Sequence, residues 1–414
     1  MSPQVIIIGA GLSGLACALQ LQKDGIPFLL LEASDGPGGR VRTDDVDGFL
    51  LDRGFQVYLD AYPEAGKLLD LPALDLRPFS PGALIYQHGK MQRVMDVFRR
   101  PDSLIPSALA PIGSISDKLR VALLKWRSYR SSLAEIAARP DRSTLEYLRG
   151  FGFSEAMIDV FFRSFYGGIF LERELRTSSR MFEFTFKMFS AGSATLPALG
   201  MGEITRQLAA RLPAGCLRLH SAVVSLSPGS VTLVSGEIIA ADQIVIATDA
   251  ATAATLLPEI FPNPVAWRSS TNLYYTSSRS PLNEPIIALN GSGSGLVNNV
   301  CVLSDVSPAY APPGRHLISV TVLGLHDHPD LPAAIVDELS AWFGPEVREW
   351  RHLRTDRIAH ALPEQLPGSG KFSSPTAGLH LCGDYLTSAS IEGAITSGQQ
   401  TAAAIVRHFN PTPG

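Results

Sequence analysis

The stretch VIIIGAGLSG, residues 5–14, decides the fold of this chain. Its apolar start runs into Gly-Ala-Gly-Leu-Ser-Gly, a helical pattern follows over residues 15–21, and a second apolar run, 28–31, ends at Glu32. The order of strand, glycine turn, helix, strand and acid is the context in which Gly-x-Gly-x-x-Gly is a dinucleotide-binding fingerprint. We therefore predict an α/β fold that begins with a dinucleotide-binding βαβ unit.

Each residue of this fingerprint has a physical role. Gly9 permits the tight turn, Gly11 lets the backbone approach a pyrophosphate, and Gly14 lets the helix pack closely on the strand. Ser13 belongs to the same turn, where the start of the helix offers free N–H groups and a positive dipole end to phosphates. Glu32 would accept hydrogen bonds from ribose hydroxyls and would repel a 2′-phosphate. These five residues are candidate cofactor ligands.

The next segment, ASDGPGGRVRT at residues 33–43, decides which dinucleotide is bound. It resembles the second signature of the superfamily of flavin amine oxidases, phytoene desaturases and protoporphyrinogen oxidases. In that superfamily a Gly-Gly-Arg runs beside the FAD diphosphate and the flavin, and nicotinamide dehydrogenases lack it. The resemblance implies that the cofactor is FAD, that Gly38 and Gly39 let the backbone reach it, and that Arg40 faces its charge.

A third signature lies near the end of the sequence. A strand ends at Gly383-Asp384, and in the family the aspartate matching Asp384 binds the ribityl chain or the diphosphate. The resemblance also implies that the helix after Glu392, Gly393 and Ala394 points its N-terminus at the pyrimidine edge of the flavin. That placement suits the negative charge of a reduced flavin, because a helix N-terminus stabilises an anion.

The signatures are spread along the chain, so the FAD-binding domain is discontinuous. A β-rich stretch at residues 219–248 resembles the family's β-meander, in which the residue matching Val223 contributes its backbone to adenine recognition. We predict a Rossmann-like FAD-binding domain and a second, α+β substrate domain of mixed sheet plus helices. The predicted FAD-binding domain comprises residues 1–72, 195–256 and 366–414, and the substrate domain comprises residues 73–194 and 257–365.

Composition excludes several classes of partner. The net charge of −4 over 414 residues gives no basic field that would attract nucleic acid. The close histidine pair, His326 and His328, lies in a predicted loop, and no Cys-x-x-Cys or His-Glu-x-x-His spacing occurs, so we predict no metal site. Four scattered cysteines and the lack of a signal-peptide or transmembrane pattern predict a cytoplasmic protein with reduced thiols.

The resemblance implies hydride transfer to flavin N5, and Gln56 lies where the family lines the flavin. It is our candidate catalytic residue, since it could orient substrate or bond to the ring edge. Amine oxidases of the family typically carry a lysine near the flavin, but no lysine occurs between Lys187 and Lys371. Many also place an aromatic residue two positions before the glutamate matching Glu392, where this chain has Ser390.

Our first hypothesis is therefore an FAD-dependent oxidoreductase that dehydrogenates a hydrophobic substrate, either isoprenoid or carotenoid-like or tetrapyrrole-like. One alternative is an amine or amino-acid oxidase that produces hydrogen peroxide. The other is a non-catalytic lipid-binding protein on the same fold. No second dinucleotide-binding unit is recognisable, which favours oxygen or a quinone as the electron acceptor.

Residues 96–130 combine apolar and basic side chains, and apolar residues recur at helical spacing at Ile115, Leu119, Ala122, Leu123 and Trp126. A basic amphipathic segment can lie on an anionic membrane, so we consider peripheral contact with the cytoplasmic face of a membrane. The alternative is a lid helix that packs on its own domain and leaves a solvated basic face.

Overall fold

A computed structural model describes residues 3–96, 113–261, 265–369 and 377–409 of the chain. Its first layer is a five-stranded, entirely parallel sheet. In sheet order the strands are Leu217–Arg218, Phe28–Leu31, Val5–Ile8, Gln243–Ile246 and Leu379–Leu381. These strands come from all three stretches assigned to the FAD-binding domain, whose exact limits stay a prediction.

The parallel sheet is buried on both faces, as its uninterrupted apolar strands require. Val5 and Ile7 face a core that contains the first helix, Leu12–Lys23, and the last helix, Ile391–Phe409. Ile6 faces the opposite core. That core is formed with three antiparallel strands and one helix: Val223–Ser227, Ser230–Leu233, Ile238–Ala240 and Ala250–Leu256.

The first and last helices cross at very short range. A Cβ built on Gly398 would lie 2.1 Å from the carbonyl oxygen of Ser13 and 3.0 Å from the amide nitrogen of Cys17. Ser13 is buried at this crossing. The helix that carries the glycine turn is therefore held in place by the helix formed from the last part of the chain.

The second layer is a seven-stranded mixed sheet. In sheet order its strands are Arg351–Pro363, Trp267–Ser277, His316–Leu323, Val297–Val302, Ile287–Asn290, Gly82–Gln87 and Lys90–Met95. Neighbours run antiparallel except for the fifth and sixth strands, which pair in parallel. One face packs against the helix Leu331–Phe343. The prediction of an α/β fold with a second, mixed-sheet part is confirmed.

Helices gather beside the second sheet around an aromatic core. They are Ile115–Arg130, Leu133–Ala138, Thr144–Phe151, Glu155–Met157, the π-helical turn Ile158–Phe162, Arg163–Phe170 and Ser179–Ala191. Three of them begin with a capping box at Ser114, Ser132 and Ser143, which satisfies the first free N–H groups of each helix. Phe162 and Phe182 are fully buried in this core.

The helix Ile115–Arg130 turns its apolar side outward. Its exposed side chains are Ile115, Leu119, Leu123, Trp126 and Tyr129, with 52–80% of their surface accessible. Asp117, Leu124 and Ser128 are the residues buried against the protein. Residues 97–112 of the segment considered for membrane contact lie outside the described part of the chain. None of the described helices is long and apolar enough to cross a membrane.

Short elements join the two layers. The strands are Thr43–Val46 with Phe49–Asp52, and Tyr58–Leu59, Ala194–Pro197 and Leu76–Pro78. The helices are Pro63–Leu68, Leu71–Leu74, Gly202–Ala209 and Leu303–Val306, with 3₁₀ turns at Pro308–Tyr310, Pro345–Glu349 and Asp384–Leu386.

Candidate cofactor and substrate site

The three glycines of the turn have different surroundings: Gly9 and Gly14 pack against protein atoms, whereas Gly11 faces open space. Gly9 has a φ of +100°, and a Cβ there would lie 3.0 Å from the carbonyl oxygen of Ala247. A Cβ on Gly14 would lie 1.9 Å from the carbonyl oxygen of Gly9, so only glycine allows this approach of helix and strand. A Cβ on Gly11 would meet no heavy atom within 4 Å. Gly11 therefore faces space that a ligand can enter.

The acid at the end of the second strand is fixed directly behind this turn. Glu32 is buried, and its Oε2 accepts a hydrogen bond from the Ala10 amide at 2.8 Å. Its Oε1 accepts from the amide and the hydroxyl of Ser34 at 2.9 and 2.7 Å. The helix Leu12–Lys23, which follows the glycine turn, has Gly11 as its N-cap residue and therefore has no side-chain cap. Its first N–H groups are thus open to an anionic ligand.

The second signature lies against the first. The Gly38 amide donates to the Ala10 carbonyl at 2.8 Å, and a Cβ on Gly39 would lie 3.5 Å from the Cα of Gly11. Gln56 supports this loop, because its Nε2 donates to the carbonyls of Arg40 and Arg53 at 2.9 and 3.1 Å. The described contacts of Gln56 are those of a positioning residue, and its catalytic role stays a prediction.

Arg40 connects the two layers of the protein. Its Nη2 donates to the Asp384 carboxylate at 2.6 Å, and its Nη1 donates to the carbonyl of Ala361 at 3.3 Å. Its guanidinium also lies 5.5 Å from the ring centre of Trp267, within cation–π range. Asp384 is buried, whereas about a third of the Arg40 side chain remains accessible. One side of the guanidinium is thus available to a ligand.

The Glu392 side chain caps another helix, so it is not placed as a cofactor-binding side chain. Its two carboxylate oxygens accept the backbone N–H groups of Glu64 and Ala65, both at 2.9 Å, at the start of the helix Pro63–Leu68. Burial raises the pKa of this carboxyl above its ordinary value. The side chain therefore caps a helix that lies 327 positions earlier in the sequence. A cofactor role for this segment therefore rests on its backbone.

The rest of the third signature is locally braced. The Gly393 amide donates to Ser390 Oγ, and the Ala394 amide donates to the Ser390 carbonyl, both at 3.0 Å. The Gly383 amide donates to Ser397 Oγ at 3.0 Å, which ties the strand end to the last helix. Val223 lies half-buried in the three-stranded meander, paired with Leu233. The cofactor roles of these residues stay predictions.

Sequence reasoning missed a buried hub at Asp52. Its carboxylate accepts hydrogen bonds from Thr43 Oγ1 at 2.5 Å, from the Met201 amide at 2.9 Å and from the Tyr310 hydroxyl at 2.8 Å. Tyr274, on the second sheet, donates its hydroxyl to the Asp52 carbonyl. Burial raises the pKa of Asp52 to about 6. The sequence signal that could have indicated this hub is the carboxylate of Asp52 directly after the apolar run at residues 49–51.

The described arrangement fits FAD. It offers an open glycine turn, an uncapped helix start, a fixed carboxylate after the second strand and a partly accessible guanidinium, all near the carboxyl ends of the parallel strands. Gly11, Gly38 and Gly39 would approach the diphosphate, Glu32 the ribose, and Arg40 with Asp384 the part nearer the flavin. Among the residues described, no three His, Cys, Asp or Glu side chains are placed to hold a metal ion.

The fold and this site define a dinucleotide-binding oxidoreductase. The model of the family of flavin containing amine oxidoreductases matches residues 12–406, and the chain belongs to that family. The predicted superfamily and the predicted cofactor, FAD, are thereby confirmed, and the protein is an FAD-dependent oxidoreductase.

Two curated proteins illustrate its relatives. A phytoene dehydrogenase of Streptomyces griseus is 26% identical over 422 residues, which cover 88% of this chain and 80% of that protein. Protoporphyrinogen oxidase 2 of Arabidopsis thaliana is 28% identical over 167 residues, covering 40% of this chain and 32% of that protein. The second similarity is thus confined to less than half of the chain.

Solved structures share the fold with very different chemistry. Putrescine oxidase bound to putrescine superposes with a TM-score of 0.71 at 18% identity, over 98% of this chain and 99% of that one. Reduced UDP-galactopyranose mutase superposes with a TM-score of 0.72 at 15% identity, over 99% and 97%. At such identities the similarity establishes the fold and leaves the substrate open.

Proposed function

We propose that the protein dehydrogenates a hydrophobic substrate of isoprenoid, carotenoid-like or tetrapyrrole-like type. Bound FAD supplies the hydride acceptor, N5, while the chain supplies position, charge and exclusion of water. The observation that carries the proposal is the lack of any lysine between Lys187 and Lys371. Lys187 itself donates to the carbonyl of Ser128 at 3.0 Å, on the surface of the helical part.

A packed aromatic core lies beside the second sheet. Phe182 packs against Phe162 and Tyr166 with ring centres 6.0 and 4.7 Å apart, and Tyr166 continues to Phe170 at 5.2 Å. Phe170 also lines a small pocket near the cofactor site. Two of the similar proteins are named for a carotenoid precursor and for a tetrapyrrole, which agrees with this choice.

The rival function is an amine or amino-acid oxidase that delivers hydrogen peroxide. The family name and the similarity of fold to putrescine oxidase are the reasons to test this rival function. Against it stand the missing lysine and Ser390, which occupies the position of an aromatic cage residue in many amine oxidases. In the proposed function oxygen or a quinone would reoxidise the cofactor, whereas the rival, which yields hydrogen peroxide, requires oxygen.

Anaerobic photometry of the purified holoprotein tests the proposal. We expect detergent-dispersed polyenes or porphyrinogens to bleach the flavin band, and primary amines and amino acids to leave it unchanged. Free FAD with the same compounds is the control for reactions that need no protein. Bleaching by an amine, followed by hydrogen peroxide on admission of air, would replace the proposal by its rival.

We further propose that the exposed side of the helix Ile115–Arg130 rests on an anionic membrane surface, from which an apolar substrate can enter. The apolar stripe includes Trp126 and Tyr129, residue types that favour the membrane interface. The same helix carries basic residues beside the stripe, among them Lys118, Arg120 and Arg127. Exposed apolar area and positive charge together match an anionic lipid surface.

Flotation with phosphatidylglycerol and phosphatidylcholine vesicles at low salt checks this contact. The double variant L119E/W126E is expected to bind vesicles roughly 1,000-fold more weakly, because each of these exposed apolar side chains would contribute about 2 kcal/mol on entering the membrane interface. The matched control is V234E/I238E, which places the same charges at exposed apolar positions on the meander. Equal flotation of both variants, or none of the wild type, would exclude the membrane contact.

A further inference from the structure

The edge strand of the second sheet contains a bulge close to its end. Where this strand pairs with its neighbour, Leu362 lies opposite Arg268. Two positions further along the neighbour, Ile358 lies opposite Ser270, so residues 359–361 together face a single residue. A bulge interrupts the ladder of a strand pair, re-aims its residues and is common next to active sites. Residues 359–361, which we call the bulge, are therefore available for contacts outside the sheet.

Arg40 contacts the second sheet at this bulge. Its Nη1 donates to the carbonyl of Ala361, which lies in the bulge, at 3.3 Å. Its guanidinium lies 5.5 Å from the ring centre of Trp267, the first residue of the neighbouring strand. His360, also in the bulge, stacks on the same indole with ring centres 4.8 Å apart. The bulge thus offers one contact to the guanidinium directly and supports the aromatic ring that makes the other.

We propose that Trp267 is a positioning residue for FAD binding, because it fixes the direction in which Arg40 presents its guanidinium. All five N–H donors of a guanidinium lie in one plane, so the orientation of that plane decides which ligand atoms they can reach. Asp384 accepts from Nη2 and holds one edge of the group. The indole of Trp267 and a second acceptor, the Ala361 carbonyl, fix the plane itself. The accessible third of the Arg40 side chain is thereby oriented before the cofactor binds, which lowers the cost of binding.

This role goes beyond the proposed function and depends only on FAD being the cofactor and on Arg40 facing it. The glycine turn and Asp384 adjoin strands of the parallel sheet, whereas Trp267 and Ala361 belong to the second sheet. FAD affinity would therefore depend on both layers of the protein. A substrate other than the proposed hydrophobic one would leave this dependence unchanged, so the two proposals can fail separately.

Dilution of the holoprotein, with free FAD separated by ultrafiltration, measures the FAD dissociation constant. W267L removes the aromatic face and should raise this constant about fivefold, which corresponds to a cation–π contact of about 1 kcal/mol. W267F keeps such a face and should stay within about twofold of the wild type. This exchange costs no hydrogen bond, since among the described residues the buried Nε1 of Trp267 has no partner. W350L is the matched control, because Trp350 packs on Tyr275 and Phe343 just before the edge strand begins.

A double-mutant cycle with R40Q separates positioning from a general loosening of the fold. R40Q should itself weaken FAD binding, and W267L should add nothing in the R40Q background, because the group that Trp267 positions is then absent. W267M, whose flexible side chain fills space without an aromatic face, replaces W267L if that variant does not fold. Wild-type FAD affinity in W267L or in R40Q, equal weakening by W267F and W267L, or an undiminished effect of W267L in the R40Q background would overturn this role for Trp267. An equal loss of affinity in W350L would overturn it as well.

Discussion

Replacing Gly11 by alanine is expected to release FAD while the protein stays folded. The backbone at Gly11 has a φ of −72° and a ψ of −178°, which alanine adopts without strain. The added Cβ would meet no protein atom within 4 Å, but it would occupy space that we predict the diphosphate to fill. Overpacking of this kind costs about 1–3 kcal/mol, so FAD affinity should fall roughly 10- to 100-fold.

Flavin content after gel filtration and thermal unfolding of the FAD-free protein measure the two effects separately. G14A is the contrasting variant, since its Cβ would lie 1.9 Å from the Gly9 carbonyl oxygen and should destabilise the fold itself. G66A is the neutral control, because a Cβ there has no neighbour within 4 Å. If G11A retained FAD as tightly as G66A does, the assignment of Gly11 to the diphosphate would be wrong.

The second large effect concerns pH. Burial raises the pKa of Asp52 from 3.8 to about 6, with the nearby Asp44 charge adding to the rise. Between pH 3.8 and about 6, Asp52 therefore keeps its proton in the folded protein but has lost it in the unfolded chain. The free energy of unfolding contributed by Asp52 therefore falls as pH rises from about 4 to 6, by about 3 kcal/mol.

Urea unfolding of the wild type and of D52N across this pH range checks the sign. D52N cannot ionise, so its free energy of unfolding should overtake that of the wild type as pH rises. D117N is the mirror control, because hydrogen bonds from Ser154 and Ser114 outweigh burial and lower the pKa of Asp117 to about 2. Its loss should instead reduce stability at neutral pH. A wild-type minus D52N difference that does not change between pH 4 and pH 6 would refute the assignment.

The strand, glycine turn and helix that carry the predicted cofactor ligands could be predicted because their determinants are close together in sequence. Gly9, Gly11 and Gly14 occur within one turn and Glu32 follows at the next strand end, so local order alone carries their meaning. Asp384 required the family resemblance, since its partner Arg40 lies 344 positions away. Contacts of that range leave no periodic signal in a single sequence.

The remaining features depend on tertiary packing, which the periodicity of a sequence does not specify. The spacing of Ile115, Leu119, Leu123 and Trp126 predicted a helix, and Ile115–Arg130 is one. The spacing could not show that the apolar side would face outward, because an amphipathic pattern does not specify what each face of the helix contacts. Glu392 is a similar case, since its cap on a helix 327 positions earlier became visible only in the folded chain.

The crossing of Gly398 over Ser13 has a consequence for biosynthesis. The glycine turn is translated long before the helix that braces it and long before Asp384. A nascent chain therefore carries a dinucleotide fingerprint that is not yet a dinucleotide site. The predicted cofactor site is complete only after both segments have been translated and have packed together.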